Sequence, residues 1–124
     1  MSAEDNKRTA QEAYAAFGSG DAEGAMRNID DSADWKVRGD NSLTGTHTGK
    51  AEIGALWGKL AEKGFSNESH EFIADGDKVV VLSTNTLDGE SADVADILTY
   101  NGEGKLIAFE SRSDQTVANR VFAR

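Results

Sequence analysis

A single α+β domain is what the sequence predicts, on three observations. Residues 1–64 carry runs of apolar side chains at helical spacing, separated by polar, Gly-containing breaks. The residues after them alternate apolar and polar, are rich in Val and Thr, and are cut by Asp-Gly and Asn-Gly pairs. The chain has 124 residues, the size of one ordinary domain, with no internal repeat, low-complexity tract or linker. Helices that precede a run of strands predict helices laid on one face of a bent sheet.

Each element follows from local chemistry. Ser2 with Asp5 three residues later has the form of a capping box. Ala10, Ala13, Tyr14 and Phe17 follow at helical spacing, so a first helix is expected to about Ala16. Gly18-Ser19-Gly20 breaks it, and Asp21 is a good N-cap for a short second helix with Ala22, Ala25, Met26 and Ile29 on one face. Asp30 to Asp34 is expected to end that helix. Ala33 to Gly39 predicts a strand, with Trp35 and Val37 on one side and Lys36 and Arg38 on the other. Asp40 to Gly49 is polar and reads as a loop with room for a short strand. Ile53, Leu56, Trp57, Leu60 and Ala61 form an i, i+3, i+4, i+7, i+8 stripe, which predicts a third helix from about Lys50, stopped by Gly64. Asn67 to Ala74, Lys78 to Leu87, Glu90 to Tyr100 and Lys105 to Asp114 then read as four strands. Turns at Asp75-Gly76-Asp77, Asp88-Gly89 and Asn101 to Gly104 join them into an antiparallel meander.

Composition removes several function classes. The chain has no Cys, which excludes a disulfide framework, thiolate metal sites and a cysteine nucleophile. It also has no Pro, so its thirteen Gly must supply most turns. Acidic residues outnumber basic ones 22 to 13, for a formal charge of -9. The cations are dispersed, with only Lys7 and Arg8 adjacent, which argues against a nucleic-acid partner and against an anionic membrane surface. The polar first ten residues predict no signal or transit peptide. The longest apolar run, Val79 to Leu82, is too short to span a bilayer, and a cytoplasmic protein is expected.

No cofactor or metal is expected either. Two isolated His without Cys do not make a zinc site, and Asp75-Gly76-Asp77 lacks the later ligands of a calcium loop. Gly18-Ser19-Gly20 with Gly24 follows no strand, so it is no dinucleotide fingerprint. Asn67-Glu68-Ser69 matches a glycosylation acceptor with nothing to indicate secretion.

Tyr14-Ala15-Ala16-Phe17 with Gly20-Asp21, Asp34-Trp35, Leu43-Thr44-Gly45, Thr48-Gly49-Lys50 with Ile53, Asn101-Gly102-Glu103-Gly104-Lys105 and Asp114 run in that order along nearly the whole chain. In this order and spacing the sequence resembles the nuclear transport factor 2-like superfamily, in its SnoaL-like, ketosteroid-isomerase-related branch. The resemblance implies a cone: a curved mixed or antiparallel sheet wrapped around three helices, the NTF2-like, cystatin-like α+β roll. It implies one domain over residues 1–124, an internal pocket and a homodimer. It leaves function open, because the superfamily includes isomerases, cyclases, epoxide hydrolases, dehydratases and transport factors.

Asp96 is the leading candidate for chemistry. Strand parity groups Ala92, Val94, Asp96, Leu98 and Tyr100 on the more apolar face, so this carboxyl is expected inward, where burial raises its pKa. The resemblance implies that Asp96 stands where ketosteroid isomerase keeps its oxyanion-stabilising acid. The competing reading is a structural Asp paired with a neighbour such as Arg112, or facing solvent. By the same alignment the isomerase's oxyanion tyrosine falls on Ala13, one residue and about 100° of helix from Tyr14. Its general-base aspartate falls on Lys36, whose ammonium abstracts no proton. The Asp–Arg–Asp group of limonene-type epoxide hydrolases is broken as well, at Val94 and Ser111.

His47, in the loop over the implied mouth, and Asp114, near the end of the last strand, are the other candidate proton carriers. His47 also reads as an exposed loop residue. On the last strand, parity puts Ile107, Phe109, Ser111 and Ser113 on one face and Asp114 on the other, which also suits a structural Asp114. Tyr14, Trp35, Leu56, Trp57, Leu98, Phe109 and Ser111 are candidate ligand contacts, although the helical stripe accounts for Leu56 and Trp57 as core. Three functions follow: an acid–base enzyme of the isomerase, cyclase or dehydratase kind acting on a small apolar or polyketide-like substrate, a binding module for such a molecule, or a protein-interaction module.

Overall fold

The computed structural model describes residues 2–124. Helix α1 spans Ala3–Gly18, and the capping box forms as read, with Ser2 and Asp5 satisfying each other's backbone N–H. Helix α2 is a single turn, Ala22–Met26, capped by Asp21. Strand β1 spans Ile29–Val37 and starts four residues earlier than the sequence suggests. Ile29 therefore belongs to the sheet and not to the helix, and Asp30 to Asp34 are strand rather than helix end. Ile29 pairs with Leu106 and is buried there, so sheet pairing overrides the helical spacing of the preceding residues.

Strand β2 (Gly45–Thr48) is the short strand of the polar loop, and α3 spans Gly49–Glu62 with Ile53 and Leu56 buried. The meander follows: β3 (Ser66–Asp75), β4 (Lys78–Leu87), β5 (Glu90–Tyr100) and β6 (Leu106–Ser113). A fourth helix, α4 (Thr116–Val121), was not expected from the sequence. No helix among the described residues is long and apolar enough to cross a membrane.

The six strands form one mixed sheet in the order β2-β1-β6-β5-β4-β3. All pairs are antiparallel except β1 with β6, which run parallel. The register shifts between Thr99 and Tyr100, where Thr99 faces Ala108 but Tyr100 faces Leu106. This bulge reverses the parity expected at one position: Leu106 is buried and Ile107 is 37% exposed. Beyond the bulge, Phe109, Ser111 and Ser113 keep the expected inward side.

Two apolar cores fill the concave side. One gathers Ala10, Ile29, Ile53, Val79, Val81, Leu98, Tyr100 and Leu106 at the end where β4 and β6 begin. The other gathers Leu43, Leu56, Leu87 and Phe122 at the opposite end, with Val117 and Ala118 of α4 packed against it. Trp35 and Trp57 touch both.

Candidate functional site

Between these cores lies a cavity of about 240 Å3. That is just below the roughly 300–1,000 Å3 of sites for drug-sized ligands, so it suits a molecule of one or two rings. Aromatic rings form its walls. Trp35 stacks on Phe109 with centroids 3.7 Å apart, and Trp57 meets Trp35 edge-on at 5.5 Å and Phe17 at 5.3 Å.

Asp96 projects into this apolar space from β5 and is 4% exposed. The strand alternation places it there, between buried Val94 and Leu98. The Tyr14 hydroxyl donates to Asp96 Oδ2 at 2.6 Å, and the Ser111 hydroxyl donates to Asp96 Oδ1 at 2.6 Å. Burial pushes the Asp96 pKa above the ordinary 3.8, and the bonds from Ser111 and Tyr14 pull it part of the way back. Burial, with the Asp96 charge beside it, also raises the Tyr14 pKa well above that of a free tyrosine, so its proton stays in place to be donated. Asp96 thus neither pairs with Arg112, which bonds Glu110, nor faces solvent.

The offset of one residue from Ala13 does not turn the Tyr14 ring away. Tyr14 packs edge-on against Phe72 at 5.6 Å and reaches Asp96 across the sheet. Lys36 is exposed on β1, and its register partner is Glu110. The inward neighbours on that strand are Trp35 and Val37, so no carboxylate stands there.

The remaining candidates divide. Leu56, Trp57, Leu98 and Phe109 line the cavity and also belong to or pack on the two cores. His47 does not line it. Its Nε2 donates to the Leu43 carbonyl at 2.8 Å, which ties β2 to the preceding loop. Asp114 is exposed at the cavity edge, just past the end of β6, and accepts from the Thr116 backbone N–H and hydroxyl at 2.8 and 2.6 Å. Those two bonds hold its carboxyl below the usual range. Among the described residues no cluster of three or more His, Asp or Glu could hold a metal.

Among the further polar residues that line the cavity are Asn67 and Asn85. The parity of β4 carries the signal for Asn85, because Val79, Val81, Ser83, Asn85 and Leu87 share the inner row. Asn67 draws notice in the sequence only as part of a glycosylation pattern.

The sequence pattern of the SnoaL-like domain matches residues 10–109. No functionally curated protein matches. Among solved structures the chain is similar to Bal32a from a soil-derived mobile gene cassette, at 26% identity over 98% of both chains with a TM-score of 0.86. It is also similar to TerC, co-crystallised with polyporic acid, at 27% identity over 95% of this chain and 97% of that one, TM-score 0.81. A ketosteroid-isomerase-like protein from Kribbella flavida shares the fold at 13% identity, over 90% of this chain and 79% of that one, TM-score 0.76.

Proposed function

Because this chain belongs to the SnoaL-like domain family, we propose that it binds a small, largely apolar molecule in the aromatic-walled cavity and performs an acid–base step on it through Asp96. The observation that carries this reading is the buried Asp96 carboxyl, held at both oxygens by Tyr14 and Ser111. An acid–base step needs a group that holds a proton in one state and releases it in the next. Burial favours the protonated form of Asp96, and the two hydroxyl donors hold its anion. A ligand oxygen against this group receives a hydrogen bond strengthened by the dry surroundings. The reaction class is isomerisation, cyclisation or dehydration of a small apolar or polyketide-like substrate; TerC, to which the chain is similar, was co-crystallised with polyporic acid.

A binding module without turnover is the second reading. It is favoured by the lack of a carboxylate on the inner side of β1, where the resemblance puts a general base. The two are separated with 2-tetralone, a two-ring enolisable ketone, by following α-proton exchange in D2O by NMR. The enzyme reading predicts acceleration by the wild type and a loss of roughly 100-fold in Asp96→Asn. Binding with no acceleration makes the chain a binding module, and no binding at all rejects the cavity as a ligand site.

We also propose that two copies pair through the outer sheet face. Val80 faces Ile97 and Leu82 faces Ala95 there, with Ile73 47% exposed beside them. Light scattering is expected to give twice 13.2 kDa; a monomer mass at micromolar concentration contradicts it.

A further inference from the structure

The cavity holds a second polar group, at a distance from Asp96. Asn67 on β3 and Asn85 on β4 are register partners, and Asn67 Nδ2 donates to Asn85 Oδ1 at 2.7 Å. That bond occupies one donor and one acceptor. Asn67 Oδ1 and Asn85 Nδ2 make no other hydrogen bond among the described residues, and both residues line the cavity. Polar side chains in apolar surroundings are costly unless their groups are paired. The same inner row also carries Ser83, whose buried Oγ has no partner. The inner side of β4 is therefore polar from Ser83 to Asn85, where an aliphatic row would complete the core.

Register fixes the spacing. Val81 is opposite Asp96, and Asn85 is opposite Ala92. Four residues along a strand span roughly 13 Å. The chemistry of the amides fixes the class of group they would meet. The free oxygen accepts and the free nitrogen donates, which matches a neutral hydroxyl or carbonyl.

We propose that Asn67 and Asn85 form a second subsite, and that the ligand is a rigid, elongated molecule with an apolar middle and an oxygen near each end. One oxygen meets Asp96 and Tyr14; the other, a hydroxyl or carbonyl, meets the amide pair. This rests on the reading of the cavity as a ligand site.

The test compares 4-hydroxybiphenyl with 4,4′-dihydroxybiphenyl by calorimetry on the full chain. The wild type is expected to bind the dihydroxy probe roughly 5- to 10-fold more tightly, the effect of one further neutral hydrogen bond. Asn85→Ala and Asn67→Ala are each expected to abolish that preference while keeping the affinity for 4-hydroxybiphenyl within about twofold. Circular dichroism checks the fold, and Asn85→Thr, which suits a strand, replaces Asn85→Ala if alanine loosens the sheet. Two bound probes with no difference in the wild type overturn the second subsite alone. A preference that survives in both folded variants overturns it too, as does loss of 4-hydroxybiphenyl binding in them. Failure of both probes to bind the wild type overturns the cavity reading, and this inference with it.

Discussion

Asp96 sits where its charge costs free energy, and two hydroxyl groups offset only part of that cost. The consequence is a pH dependence with a definite sign. Between the ordinary 3.8 and the raised native pKa, the folded chain keeps a proton that the unfolded chain has released. Stability from this group therefore falls as pH rises through that window. Asp5, Asp30 and Asp114 act in the opposite sense. Hydrogen bonds from Ser2, Ser32 and Thr116 lower their pKa values, so their contribution is present at neutral pH and is lost on acidification. Asp96→Asn removes only the first effect. In urea unfolding the variant is expected to gain stability relative to the wild type on going from pH 3 to pH 7. An unchanged difference between the two pH values would mean that Asp96 titrates as an ordinary aspartate. The inward position of Asp96 was legible in the sequence because strand alternation is local. Its bond to Tyr14 was not, because the two residues are 82 apart and meet only through the way α1 lies across the sheet.

Among the elements, those with a strong local pattern were the readable ones. The stripe of α3 and the Gly-containing turns of the meander gave boundaries within a residue or two. α4 has only six residues, too few for its apolar pairs Val117/Val121 and Ala118/Phe122 to stand out, and much of its support comes from afar. Asn119 Oδ1 accepts from the Asp40 backbone N–H and from Asn41 Nδ2 at 2.8 and 3.0 Å, and the Phe122 carbonyl accepts from the Ser42 N–H. Arg120 pairs with Glu90 and Arg124 with Asp40. A helix held in this way is expected to loosen locally when the side-chain acceptor is removed. Asn119→Ala should speed hydrogen exchange across residues 116–122 and leave exchange in β4 and β5 unchanged. Uniform acceleration over the whole sheet would contradict that local role. The bulge that exposes Ile107 was likewise invisible, since it depends on pairing with β5 and not on the composition of β6.

For the whole molecule, sequence neighbours become sheet neighbours from β3 to β6, which is why the meander could be read directly. The parallel placement of β1 against β6 joins distant parts of the chain, and no local signal reports it. The cavity is a property at the same scale. It lies between the two cores, which only Trp35 and Trp57 bridge among the residues packed on them. The charge of -9 fits this division, since Asp96 is the one buried carboxylate among the described residues. Acidity belongs to the surface, and the interior keeps a single carboxyl in a ring of aromatic side chains. Titration of the Asp96 side-chain carbon by NMR, assigned by its loss in Asp96→Asn, tests this account most directly. Burial of Asp96 is expected to put the midpoint above 3.8 and above those of Asp5, Asp30 and Asp114. A midpoint at or below 3.8 would contradict it.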